Sequence, residues 1–163
     1  METNFALKEA EVTLRLVCED DLSAILELNH HLHETEPLMQ IDKQIESVWS
    51  EIINDQRLKC FVAELDNKVI ASCILDIVPN LTRGIRPFGV LQNVVTHADY
   101  RGKGIGKKLS MFALEFAWSK NCYQVLVQTG RPEVTNFYLS LGFRQDKIGL
   151  VAKPEWCKEV YCV

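Results

Sequence analysis

Apolar residues fall along this chain in two rhythms, and the places where one gives way to the other outline its elements. Residues 12–17 alternate apolar and other side chains, which sets Val12, Leu14 and Leu16 on one face of an opening strand. Asp20 or Asp21 is placed to cap a helix in which Leu22, Ile25, Leu26 and Leu32 recur at helical spacing. Asp42 then precedes Ile45, Val48, Trp49 and Ile52, an i, i+3, i+4, i+7 stripe that predicts a second helix with one buried face. Two apolar runs, 60–65 and 69–78, flank the turn residues Asp66 and Asn67 and predict an antiparallel hairpin.

Residues 79–87 read as a loop and 88–96 as a further strand. A helix follows in which Ile105, Leu109, Phe112, Ala113 and Phe116 face inward, ending near Asn121. Residues 123–129 predict a strand, 133–141 a short helix stopped by Gly142, and 143–148 another strand. Beyond 149 the pattern is ambiguous: Pro154 interrupts it, and 160–163 could end in a strand. This order implies an α/β architecture with a mixed sheet and helices on both faces. A length of 163 residues suits one domain over 1–163.

Composition narrows the function. With 47% hydrophobic and 25% charged residues the chain is an ordinary globular one. A net charge of -4 supplies no global field for nucleic acid, so an anionic ligand must be gripped by a local patch. The first ten residues, with Glu2, Lys8 and Glu9, lack the pattern of a signal peptide, and no stretch approaches the ~20 apolar residues of a membrane span. A cytoplasmic protein with neither membrane nor nucleic-acid partner is expected. Cys18, Cys60, Cys73, Cys122, Cys157 and Cys162 form no C-x-x-C pair and are read as small reduced core residues.

The stretch richest in chemistry is Arg101-Gly102-Lys103-Gly104-Ile105-Gly106, between an apolar strand and an amphipathic helix. Gly104 and Gly106 carry no side chain to keep backbone amides from a ligand, and a first helical turn offers unpaired N–H groups with partial positive charge. A pyrophosphate fits such a cradle, with Arg101, Lys103, Lys107 and Lys108 adding charge. The Walker loop fails here, because Lys107 stands five positions after Gly102 where glycine is required. The Rossmann pattern fails too, since Lys107 and Leu109 stand where its third glycine belongs.

What does fit is Gln or Arg, any two residues, Gly, any residue, then Gly or Ala. Asn93-Val94-Val95-Thr96, Arg101 to Gly106, and the later Asn136-Phe137-Tyr138-Leu139-Ser140-Leu141-Gly142-Phe143 together resemble, in order and spacing, the strand, loop and later motif of the GNAT superfamily of N-acyltransferases. The resemblance spans roughly residues 12–148. It implies a GNAT fold, with a mostly antiparallel twisted sheet of 6–7 strands splayed in the middle and about four helices on both faces. It also implies acetyl-coenzyme A as co-substrate, with no metal. The backbone of Val94, Val95 and Thr96 would pair with the pantetheine arm, and the amides of Gly102, Lys103, Gly104, Ile105, Gly106 and Lys107, beside Arg101, would take the pyrophosphate. The Asn136 side chain would hydrogen-bond the arm, and Tyr138, a phenol of pKa ~10, would protonate the departing thiolate.

The implied reaction is direct acetyl transfer to a primary amine, with a small molecule as the leading acceptor. An acyl-coenzyme A sensor without turnover, or a transferase acting on protein lysines or N-termini, are the alternatives, and a homodimer built partly on the apolar C-terminal segment is possible. An alkylamine of pKa ~10.4 is only about one part in two thousand neutral at pH 7, a deficit of ~4–5 kcal/mol, so a base or a desolvating pocket is required. Glu34, Glu36, His97 and a water held by Gln92 or Asn93 are candidates. His30, His31 and His33 invite a metal reading, but further ligands at a recognisable spacing are lacking. Arg83 and Arg86 either reach an acceptor carboxylate or serve a solvated loop.

Overall fold

The computed structural model describes residues 11–32, 35, 37–146, 149 and 153. The chain divides into two compact units, one up to Val127 and one from Gln128. The first holds a five-stranded sheet of β1 (Thr13–Leu16), β2 (Leu58–Leu65), β3 (Lys68–Val78), β4 (Phe88–Thr96) and β5 (Val125–Val127), in that spatial order. All neighbours are antiparallel except β4 and β5, which run parallel. Its helices are α1 (Leu22–His30), α2 (Lys43–Asn54) and α3 (Ile105–Ser119).

Alternation along β2 sorts these helices onto opposite faces. Cys60 and Val62 point to a cluster with Ile25 and Leu28 of α1 and Trp49 of α2. Phe61, between them, points the other way and meets Phe112 and Phe116 of α3 edge-on, with centroids 5.4 and 5.3 Å away. A period of two in the strand and 3.6 in the helices is enough to build these layers.

Local signals act where the sequence places them. Asp66 and Asn67 both take positive φ, 51° and 61°, which gives the two-residue hairpin turn the twist its strands need. The Asp42 carboxylate accepts from the Ile45 amide at 2.9 Å and caps α2. At the end of α3, Asn121 at φ 59° donates to Trp118 O and Cys122 donates to Ala117 O, a Schellman closure with asparagine in the left-handed position. The Arg86 guanidinium then donates to the Asn121 and Cys122 carbonyls, completing that helix end with a cation.

In the second unit a 3-10 turn (Pro132–Val134) leads into α4 (Thr135–Leu139). Gly142 at φ 91° closes it, with Gly142 N donating to Leu139 O and Phe143 N to Tyr138 O.

Several expectations need correction. Five strands form among the described residues, not six or seven. Of the predicted strand 143–148, residues 143–146 form none, and 147–148 lie outside the described residues. After Phe143 come Arg144, Gln145 and Asp146, all exposed, with no apolar face to bury. The strand expected at 123–129 shortens to β5 because Thr129 Oγ1 accepts from the Arg131 amide and begins a turn. Cys60, Cys73 and Cys122 are buried, but Cys18 is exposed. The expectations for Cys157, Cys162 and the C-terminal segment lie outside the described residues.

Asp21 leads into α1 without capping it. Its carboxylate instead accepts from the Cys18 amide at 2.8 Å and from Arg15 at 2.7 and 3.0 Å, while Arg15 Nε donates to Glu64 at 2.9 Å. The Arg15 hydrogen bond holds the Asp21 carboxyl below its ordinary value. A depressed folded value means the stabilisation is complete above the unfolded pKa of ~3.9 and is lost as pH falls through the folded one. Asp21→Asn should therefore lower stability at pH 7 by roughly 1–3 kcal/mol. Denaturant titrations should show the gap between the two proteins narrowing on acidification below about pH 4.

Candidate functional site

The site is organised by an irregularity in β4. Ser72 pairs with Val95 and Ile74 with Gln92, so Asn93 and Val94 together stand opposite Cys73 alone. This bulge sets Asn93 at φ 47°, a left-handed conformation that asparagine tolerates better than most residues. Across the extra residue the alternation flips, and Gln92 and Val95 share the face of Ile74 and Ser72 although their positions differ by an odd number. The sequence carried a sign of this: Gln92 and Asn93 are consecutive polar residues in an otherwise apolar strand.

At the same point β4 loses its other neighbour. Pairing with β5 runs from Gly89 to Leu91 and stops, so the outer edge of residues 92–96 meets no strand among the described residues. Val94, Val95 and Thr96 thus lie on an edge that no described strand covers, and such an edge can template a further extended chain, although the Thr96 carbonyl already accepts from Arg101.

That edge runs into the glycine loop. A 3-10 turn (Ala98–Tyr100) is capped by His97, whose Nδ1 accepts from the Asp99 amide at 3.3 Å. Arg101 Nε donates to Thr96 O at 3.0 Å, and Lys103 Nζ donates to Asp99 O at 3.1 Å while lying over the Tyr100 ring. Gly102 and Gly104 take φ of 75° and 77°, and no heavy atom lies within 4 Å of the place where a Cβ would stand on either. Backbone conformation, not crowding, demands these glycines.

Gly104 is the N-cap of α3, whose first helical bond runs from Lys108 N to Gly104 O at 3.0 Å. The amides of Ile105, Gly106 and Lys107 precede that bond and have no acceptor among the described residues. Arg101, Lys103, Lys107 and Lys108 are all exposed around them, a local cationic patch on a net acidic chain. Open space, free amides and local positive charge together fit a pyrophosphate.

On the α1 and α2 face, Asn93 also lines a cavity of about 680 Å³. Its walls include Ile25, Val48, Trp49 and Ile52, and its floor Cys60 and Ile74. Sequence reading missed this cavity because the stripe on α2 looks like an ordinary core face. Burial pushes the Cys60 thiol up to about 12, and the wholly buried Cys73 thiol higher still, so neither offers a thiolate nucleophile at neutral pH.

The base candidates separate. His97 Nδ1 is engaged by Asp99 N, Nε2 faces Glu27 at 3.8 Å, and the ring packs on His31 and Tyr100. It sits about 13 Å along the strand from Asn93, and its contacts clasp the turn. Glu34, Glu36 and His33 lie outside the described residues. Arg86 is committed to the end of α3, and Arg83 lies over the Tyr123 ring at 6.0 Å.

In the second unit Asn136 is exposed on α4, and Tyr138 is half-buried with its ring against Phe137 and Phe143 at 5.1 and 5.7 Å.

Comparison with known proteins bears on this arrangement. Residues 22–143 match the model of the acetyltransferase (GNAT) family. A glucosamine 6-phosphate N-acetyltransferase of Trypanosoma brucei brucei is 35% identical over 139 residues, which cover 82% of this chain and 90% of that protein. Among solved structures, one from Agrobacterium tumefaciens str. C58, provisionally described as an acetyltransferase, superposes with a TM-score of 0.83 at 38% identity, over 86% of this chain and 99% of that one. A Trypanosoma brucei acetyltransferase gives a TM-score of 0.78 at 30% identity, over 88% and 99%.

Left-handed backbone alone should set the cost of a side chain at Gly104. Gly104→Ala should destabilise by roughly 1–2 kcal/mol. Gly130→Ala, equally uncrowded but without positive φ, should be neutral or slightly stabilising. Thermal unfolding of the two variants separates these outcomes.

Proposed function

The chain belongs to the GNAT acetyltransferase family, an acetyl-coenzyme A-dependent class of N-acetyltransferases, and from that premise we propose the following assignment of residues and acceptor. The acceptor is the primary amine of a small molecule, and both compact units act together as one domain over 1–163. The family match supports the second point, because it runs across Val127 without a break.

The observation that carries the assignment is the continuity of the freed β4 edge with the glycine cradle. The pantetheine arm extends along Val94, Val95 and Thr96 as an added strand, and the pyrophosphate rests on the amides of residues 102–107 beside Arg101. About three residues at ~3.3 Å each separate Thr96 from Asn93, and in this reading the arm runs toward the bulge with the thioester at that end.

There the neutral amine nitrogen attacks the carbonyl carbon, the C–N bond forms as the C–S bond breaks, the thiolate takes a proton from the enzyme, and the proton released by the nitrogen passes through solvent to restore that donor. Tyr138 supplies the thiolate's proton, since a phenol of ordinary pKa ~10 is protonated at neutral pH, and Asn136 hydrogen-bonds the arm. The raised Cys60 and Cys73 thiols support direct transfer over a cysteine-bound acetyl.

A cavity of about 680 Å³ suits a small molecule, within the ~300–1,000 Å³ of ligand sites. The acceptor named for the Trypanosoma relative, glucosamine 6-phosphate, also supports a small-molecule amine. No described helix is long and apolar enough to cross a membrane. The free, buried Cys60, Cys73 and Cys122 support a cytoplasmic location.

Tyr138→Phe should lower kcat by roughly a hundredfold or more while leaving acetyl-coenzyme A affinity unchanged. Thiol-release kinetics beside calorimetric titration read the two quantities separately. Unchanged kcat would remove Tyr138 from the proton transfer.

A further inference from the structure

The apolar faces of α1 and α2 close on the sheet only in part: Ile25, Leu28 and Trp49 pack in the cluster with Cys60 and Val62, while Val48 stays exposed. Ile45, Val48, Trp49 and Ile52, the stripe that periodicity assigns to a core, also line the 680 Å³ cavity with Ile25 of α1. Val48 remains 47% exposed and Met39, at the mouth, 56%. The cavity opens to solvent, so its apolar lining atoms meet water that an apolar ligand would displace. Two amphipathic helices holding apolar faces around so large a space are the expected design for binding an apolar group.

The polar groups of the cavity are as informative. They come from Asn29, Gln40, Asp42, Gln44 and Asn93, and Asp42 is occupied in part by the α2 cap. No Lys, Arg or His stands among its described lining residues. A sugar phosphate needs charge-assisted donors for its dianion, and the described lining residues offer none. A hydrocarbon body bearing one amine meets no such deficit. Asn93 belongs to both the cavity wall and the bulge where the β4 edge opens, so an amine at that wall stands next to the edge.

Resting on the transferase reading above, we propose that the acceptor is a primary amine on an apolar alkyl or arylalkyl body. The body fills the α1–α2 cavity and the nitrogen lies at Asn93. The cavity also accounts for the neutral amine. Desolvation among Ile25, Trp49 and Ile74 penalises an ammonium and lowers its pKa, against the opposing attraction of the Asp42 carboxylate on the same lining, and the proton passes to solvent at the mouth before the C–N bond forms.

Steady-state thiol release by the full chain tests this with phenethylamine, hexylamine, glucosamine and glucosamine 6-phosphate, on wild type and on Val48→Arg. That substitution places a cation at the cavity wall from a surface position of α2. The expected result is kcat/KM for phenethylamine and hexylamine at least about tenfold above that for glucosamine 6-phosphate. Val48→Arg should lower the phenethylamine value about tenfold or more, with the calorimetric Kd for acetyl-coenzyme A unchanged. A protein that binds acetyl-coenzyme A but prefers the sugar phosphate, leaves the apolar amines untouched, or ignores Val48→Arg overturns the acceptor inference alone. Failure to bind acetyl-coenzyme A overturns the transferase reading beneath it.

Discussion

Between Gln92 and Val95, β4 carries one more residue than β3 can match, and Asn93 absorbs the excess by adopting φ 47°. Much of what the molecule can do depends on that surplus. The flip in alternation puts Asn93 on the wall of the α1–α2 cavity and returns Val95 to the core beside Ile25 and Leu28. The pairing with β5 ends one residue earlier, at Leu91, and no described strand covers the outer edge beyond it. A bulge in one strand thus lies where the described pairing on its outer edge ends and where the cavity reaches that strand.

The loop beyond the strand continues the same economy. His97, Arg101 and Lys103 spend their polar atoms on Asp99 N, Thr96 O and Asp99 O, which fixes the turn without consuming the amides of Ile105, Gly106 and Lys107. Side chains hold the loop, and these backbone amides keep no acceptor among the described residues. Arg86 does the corresponding work at the other end of α3, closing carbonyls that the Schellman turn exposes. A helix held at both termini by local contacts holds its free N-terminal amides in a fixed geometry, which favours anion binding without a cost for ordering them.

Much of this was legible in the sequence where a local rule decides the outcome. Asp66 and Asn67 specify their turn, Asp42 its cap, Gly142 its left-handed closure, and Arg101 to Gly106 a loop that neither Walker nor Rossmann geometry can use. Legibility failed where tertiary context decides. Periodicity says that Ile45, Val48, Trp49 and Ile52 face one way, but not whether that face meets a core or a cavity. The Phe143 strand failed because one aromatic after a glycine does not make an alternating face. Asp21 was drawn from the helix cap by the Cys18 amide, three residues back, and by Arg15, which the folded chain also ties to Glu64. The bulge had a trace in Gln92-Asn93, weak because polar pairs in strands have other causes.

The proposed transfer requires acetyl-coenzyme A to lie along the freed edge from the bulge to the cradle. Amide hydrogen exchange with and without saturating acetyl-coenzyme A measures this directly, because each added hydrogen bond slows exchange at a known position. Protection is predicted in residues 94–96 and 102–107 together, with the hairpin turn at Asp66 and Asn67 unchanged. Binding that leaves both segments unprotected, or protects the cradle without the strand, would contradict it.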